Sequence, residues 1–299
     1  MTNSEQRQLA WQVIRSALRA VDPAQAVKNY LNRNPDLVAQ IQATPGRVIV
    51  VGAGKAGAPM AAAVAEIFGD KISAGRVVVK YGHIDPNYQL SINNYRLSII
   101  EAGHPLPDEA GIAATRAIVD MLTDTTPDDA VLCLLSGGGS ALLTLPVEGI
   151  TLADLQATTA SLLAAGANIN EFNTIRKHLS AVKGGRLAEI AAPATVYTLI
   201  LSDVVGDPLP VIASGPTAPD PTTFADAWAI VEEYQLQDKL PAAVRQRLLA
   251  GRNGEIADTP KPADPIFERV HHAIIGSNRL AGQAAVQAAE RAPREVTVA

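Results

Sequence analysis

The sequence is poor in the residues that several common chemistries require. It holds one cysteine, Cys133, which excludes an internal disulfide framework and a cysteine-based zinc site. That thiol lies in the apolar run Val131-Leu132-Cys133-Leu134-Leu135, where packing inside a strand is expected rather than nucleophilic work. Aromatic side chains make up only 4% of the chain, so a core must be assembled from Ala, Val, Leu and Ile. Such a diet suits buried parallel strands covered by Ala-rich helices. No apolar stretch reaches the roughly 18 residues needed to cross a bilayer. The opening residues, with Glu5, Gln6, Arg7 and Gln8, lack the apolar centre of a signal peptide, so a cytoplasmic location without a membrane partner is the default expectation. A net charge of -5 and the absence of a Lys/Arg stripe argue against a nucleic-acid partner. Small anionic ligands stay open, because a local group of cations can sit inside an acidic protein.

What is present is globular: 47% hydrophobic and 18% charged residues over 299 positions. This length holds one large α/β domain and part of a second. The periodicity predicts a helix over Leu9 to Val21, stopped at Asp22-Pro23. Strands are expected at Arg47 to Val51, Arg76 to Val79, Arg96 to Ile100, Ala130 to Leu135 and Thr195 to Leu201. Helices are expected at Ala58 to Phe68, Asp108 to Leu122, Leu152 to Ala165 behind a Thr151 cap, and Ala181 to Ala191. This alternation predicts a doubly wound, mainly parallel sheet of Rossmann-like type, with function beyond the carboxyl ends of its strands. The Gly-, Pro- and charge-rich stretch from Gly251 to Pro265 suggests a boundary. The expected division is a Rossmann-like domain over 1–250, then a linker and the incomplete start of a smaller α/β domain over 251–299. That second part would hold a strand at Val270 to Ile275, a helix at Leu280 to Arg291, and a fresh strand beginning at Glu295-Val296-Thr297-Val298.

Four constellations carry chemistry. Gly52-Ala53-Gly54-Lys55-Ala56-Gly57 is a G-x-G-x-x-G turn between a strand and a helix, suited to an anion at a helix start or to tight helix-on-sheet packing. A nicotinamide site calls for an acid at the end of the second strand, where Lys80 stands. Lys55 adds a cation to the loop, useful for a phosphoryl group or a carboxylate. Ser136-Gly137-Gly138-Gly139-Ser140 forms a possible nest of N–H groups at another strand end, the alternative being a flexible loop. The stretch Asn173-Thr174-Ile175-Arg176-Lys177-His178, with Ser180, Lys183 and Arg186 following, gathers cations. If Ile175 to Arg186 is partly helical, Arg176, Ser180 and Lys183 share a face that clamps anions; otherwise the stretch is a solvated basic surface. Finally, Asp203 and Asp207 follow the end of the fifth strand and could hold Mg²⁺ or serve the turn. His104, in a Pro-rich loop after the third strand, and Asn278, in Gly276-Ser277-Asn278, are further candidates for contact with substrate and nucleotide.

With these pieces in place the chain resembles the glycerate 2-kinase family. The resemblance rests on VGAGKAG (51–57), AGHPLPDEAG (102–111), LLSGGGSALL (134–143), NTIRKHLSAVKGGRLA (173–188), LSDVVGDPLPVIASGPTAPDPTTF (201–224) and IGSN (275–278). It implies a Rossmann-like N-terminal domain, a smaller C-terminal α/β domain extending well beyond Ala299, and a cleft between them. It also implies ATP- and Mg²⁺-dependent phosphorylation of D-glycerate to 2-phosphoglycerate. On that reading Lys55 stabilises phosphoryl or carboxylate oxygens, and Gly52, Gly54, Ser136, Gly137, Gly138, Gly139, Ser140 and Asn278 receive the nucleotide. His104, Asn173, Arg176 and Lys183 hold the substrate, and Asp203 and Asp207 hold Mg²⁺ or orient the attacking hydroxyl. Members of the family also carry the label hydroxypyruvate reductase, which would require a nicotinamide site that Lys80 disfavours. A non-catalytic sugar-acid binding module and an inactive remnant complete the alternatives. A homodimer is compatible with the sequence, which does not fix the oligomeric state.

Overall fold

A computed structural model describes residues 3–84 and 96–291. Six strands form one sheet in the order β3-β2-β1-β4-β5-β6. They are β1 (Val48–Ala53), β2 (Ile72–Lys80), β3 (Leu97–Ala102), β4 (Ala130–Ser136), β5 (Thr195–Ser202) and β6 (Val270–Ser277). Every neighbouring pair is parallel, with Val51 beside Cys133 and Leu135 beside Ile200. Strands β1 and β4 are buried at every residue, because helices cover both faces, and their sequences are continuous apolar runs for that reason. The expected doubly wound α/β architecture is the one observed.

Alternate β1 residues feed opposite cores. Val48 and Val50 pack with α2 (Pro23–Arg33), α3 (Pro35–Gln42) and α4 (Gly57–Phe68), whereas Ile49, Val51 and Ala53 pack with α5 (Glu109–Leu122) on the other face. A third apolar cluster, including Leu162, Phe172, Ile175, Trp228 and Leu248, joins four helices into a separate layer. These are α7 (Leu152–Ala165), α8 (Ile169–His178), α10 (Phe224–Glu233) and α11 (Ala242–Arg252). Burying a large apolar side chain of this kind contributes about 1.5–3 kcal/mol.

Helix starts follow their capping chemistry. Thr151 accepts from the Asp154 N–H while Asp154 reaches back to the Thr151 N–H, and Gly166 closes α7 at φ 81°. Asn168 with Glu171, and Thr223 with Asp226, form the same box on α8 and α10. Asp22-Pro23 ends α1 (Asn3–Ala20) as expected, yet it also starts α2, with Pro23 in the first turn and Asp22 accepting from the Gln25 N–H. The helix expected over Ala181 to Ala191 is shorter: α9 spans Arg186–Ala191. Gly184 and Gly185, at φ 59° and 86°, hold the preceding residues out of helical conformation.

The stretch from Gly251 to Pro265 leads into β6, which is hydrogen-bonded beside β5, and α12 (Asn278–Glu290) then packs against α1. The sheet therefore runs across the position where composition suggested a boundary. The strand expected at Glu295 to Val298 lies outside the described residues. Among the described residues no helix is long and apolar enough to cross a membrane.

Candidate active site

The topology reverses direction between β1 and β4, and their loops meet at that crevice. The Lys55 N–H donates to the Gly137 carbonyl at 2.9 Å, and the Ala56 N–H donates to Ser136 Oγ at 3.1 Å. The two glycine-rich turns are thus fastened to each other. Gly138 sits at φ 86°, a left-handed conformation that favours glycine, and a Cβ there would lie 2.9 Å from His104 Nε2 and 3.2 Å from Lys55 Cε. Those two distances bring Lys55, His104 and the triple-glycine turn to one point. A Cβ on Gly137 would lie 2.4 Å from an Asp203 carboxylate oxygen, so the absence of a side chain at Gly137 is what admits Asp203.

Beyond this turn lies a cavity of about 390 Å³ between the strand ends and the helical layer. His104, Ser136, Gly138, Gly139 and Ser140 line it from the sheet side. Asn173 and Arg176, one turn apart on α8, line it from the helical layer, with Lys183 arriving from the turn that follows. Asp203 is the one acidic residue on this wall among the described residues. The remainder is largely apolar, including Leu106, Leu155, Leu162 and Ile169. Gly139 and Ser140 open the short helix α6 (Gly139–Leu142), whose first N–H groups have no intrahelical acceptor.

The cations on this wall are withdrawn from solvent in part or in full, and no carboxylate among the described residues neutralises them. Lys183 is 4% exposed, and its Nζ donates to the Leu143 carbonyl. Burial, and then the nearby Arg176 charge, push its ammonium down to about 7. Arg176 lies 5.0 Å above the Phe172 ring and is itself held below its ordinary value by burial. Among the described residues, Lys55, Arg176 and Lys183 form no ion pair with a carboxylate. His104 is held below its ordinary value by burial first and then by the charges of Lys55 and Lys80. An anion entering here would supply the missing negative charge.

Helix α8 ends at His178, so the helical face imagined for Arg176, Ser180 and Lys183 does not form. Ser180 instead bridges to Pro146, and its Oγ accepts the Val182 N–H at 3.2 Å, turning the chain so that Lys183 meets the same cavity. The solvated alternative also fails, because Lys177 and His178 are buried in structural pairs. Lys177 reaches Asp220 at 3.0 Å, and His178 reaches Asp258 at 2.9 Å.

The other sequence candidates lie outside the cavity wall. Gly52 and Gly54 are buried: a Cβ on Gly52 would meet the Leu134 carbonyl at 2.2 Å, and one on Gly54 would meet Ser136 Oγ at 2.1 Å. Both admit β4 and its turn close to β1. Lys55 is exposed at the rim. Asp207 occupies the turn after Gly206 at φ 53° and is not on the wall. Asn278 Nδ2 donates to the Asp203 carbonyl at 3.2 Å, fastening the end of β5 to the start of α12. No group of three or more metal-binding side chains occurs among the described residues. Sequence reasoning missed Ser214, which stands behind Ser140; its only signal was the Ser214-Gly215-Pro216 turn after a strand end.

The profile of the family described as Domain of unknown function (DUF4147) matches residues 9–249. A protein of Pyrococcus horikoshii named glycerate 2-kinase is 42% identical over 95% of this chain and 62% of its own length. One of Agrobacterium vitis, named putative hydroxypyruvate reductase, is 45% identical over 86% of this chain and 54% of its own. The crystal structure of a glycerate kinase from Thermotoga maritima superposes with a TM-score of 0.81 at 41% identity, covering 96% of this chain and 63% of that one. The chain therefore spans between about half and two thirds of the length of these relatives.

Proposed function

Because this chain belongs to the DUF4147 family, that of the glycerate kinases, we propose that its cavity serves an ATP- and Mg²⁺-dependent kinase acting on D-glycerate. The observation that carries the reading is a cavity whose cations, the half-buried Arg176 and the buried Lys183, have no carboxylate partner among the described residues and sit opposite a triple-glycine turn with Lys55 at its rim. Phosphoryl transfer needs positioning and charge neutralisation more than covalent help. Arg176 and Lys183 hold the substrate carboxylate, while Ser140 and Asn173 meet its hydroxyl groups. The N–H groups at Gly139 and Ser140 receive phosphate oxygens of ATP, and Lys55 neutralises charge on the phosphoryl group in flight.

Asp203 fits a Mg²⁺ role, being among the described residues the single carboxylate on the cavity wall and without an ion-pair partner, and Mg²⁺ commonly takes one or two carboxylates plus phosphate oxygens. When bound, the ion would neutralise charge on the phosphates. Asp207, off the wall, has no part in this assignment. The name hydroxypyruvate reductase attached to some relatives is disfavoured by β2 ending on Lys80, where a nicotinamide fold places an acid for the ribose.

The test is an ADP-release assay with D-glycerate, ATP and Mg²⁺, run on this chain and on a C-terminally extended form. Glycerate-dependent ADP release is expected, and Lys55→Ala should lower kcat/KM by about 10²–10³-fold. NADPH oxidation by hydroxypyruvate with no ADP release would overturn the assignment.

A further inference from the structure

Three polar side chains behind and on the cavity wall form one hydrogen-bonded chain. Ser214 Oγ donates to Asn173 Oδ1 at 2.9 Å and lies 2.8 Å from Ser140 Oγ. A serine hydroxyl has one proton. Since Ser214 gives its proton to Asn173, Ser140 must give its own to Ser214. Ser140 and Asn173 line the cavity, whereas Ser214 is fully buried behind them. The proton of Ser140 is thus committed away from the cavity, so Ser140 offers a ligand oxygen lone pairs only, while the Asn173 amide N–H groups stay available to donate.

The backbone is organised to keep Ser214 in place. Ala213, Ser214 and Gly215 take φ 51°, 62° and 61°, an uncommon left-handed run for residues with side chains. The Gly184 and Gly185 N–H groups hold it by donating to the Ser214 and Gly215 carbonyls at 3.0 and 2.7 Å. The turn that delivers Lys183 and the turn that delivers Ser214 are therefore one fastened unit.

We propose that Ser214 is a positioning residue that makes Ser140 an obligate hydrogen-bond acceptor, so that the cavity selects 2-hydroxy acids over 2-oxo acids. The proposal rests on the reading that the cavity holds a sugar acid with its carboxylate on Arg176 and Lys183. Arg176 lies one turn from Asn173, and Lys183 donates to the carbonyl three residues after Ser140, which puts the carbon next to the carboxylate within reach of Ser140. A 2-hydroxyl donates to Ser140. A 2-oxo group, with lone pairs only, meets lone pairs at Ser140 and loses the contact that the hydroxyl makes there.

Calorimetric titration of this chain with D-glycerate and with hydroxypyruvate tests the idea, and D-lactate against pyruvate repeats the comparison without the second hydroxyl. The wild type should bind the hydroxy acid about tenfold or more tightly than the oxo acid. Ser214→Gly, which suits φ 62° and so preserves the turn, frees the Ser140 proton to donate. Its preference should fall within about threefold, chiefly through tighter binding of the oxo acid. Ser214→Ala removes the same hydroxyl and should behave alike, whereas a merely structural role would weaken both ligands together. An unchanged preference in both variants, or none in the wild type, would overturn the proposal while D-glycerate binding leaves the kinase reading intact. Failure of the wild type to bind D-glycerate would overturn both.

Discussion

Raising the pH from 6 to 9 removes the proton from Lys183, whose ammonium is pushed down to about 7 by burial and by Arg176. The substrate carboxylate stays ionised over this whole range. If only the protonated lysine grips that carboxylate, affinity follows the protonated fraction, 1/(1 + 10^(pH − 7)), and falls about 90-fold between these limits. Around pH 8 the free protein holds about 0.1 proton at this site, so binding should take up close to one proton. Calorimetry in buffers of different ionisation enthalpy measures that uptake directly, and a series of Kd values measures the slope. Lys183→Met should bind weakly at pH 6 and show neither slope nor uptake. Stability should move the other way. The native state binds fewer protons than the unfolded chain between about 7 and 10.5, so this group's contribution to stability rises with pH in that window. Weaker binding in a more stable fold cannot be mistaken for denaturation. A flat wild-type Kd, or the same slope in Lys183→Met, would refute the assignment.

Gly137→Ala places a methyl group 2.4 Å from the Asp203 carboxylate without asking for a left-handed backbone. It should lower kcat/KM by about 10- to 100-fold while costing stability only about 1–3 kcal/mol, read from steady-state kinetics and thermal melting. Asp220→Ala strands Lys177, only 3% exposed, without its counter-charge and should cost about 3–5 kcal/mol in urea denaturation. Adding Lys177→Met should recover much of that loss; no recovery would mean that the pair is not what Asp220 stabilises.

The strands were legible because β1 and β4 are buried on both faces, which forces unbroken apolar runs. The start of α7 was legible from Thr151, whose cap is a local device. Helices α8, α10 and α11 were not read from the sequence, because their apolar residues are spaced to meet a layer assembled from distant segments. The loops at the strand ends were found from glycine and charge alone. What each glycine does was not: Gly52 and Gly54 admit neighbouring backbone, whereas Gly137 and Gly138 make room for Asp203, His104 and Lys55. Ser214 was invisible as a functional residue because its value lies in two hydrogen bonds, to residues 74 and 41 positions away.

The helical layer is stitched from two stretches of chain, α7–α8 before β5 and α10–α11 after it. Lys55 and the triple-glycine turn belong to the sheet, while Asn173 and Arg176 belong to this layer. On the function proposed above, the contacts with the phosphate donor and the share of the acid's contacts made by Asn173 and Arg176 would then lie in separately mutable parts. Substitution within the two layer segments offers a lineage a change of acceptor with the transfer apparatus left standing, much as a tool changes its bit and keeps its handle.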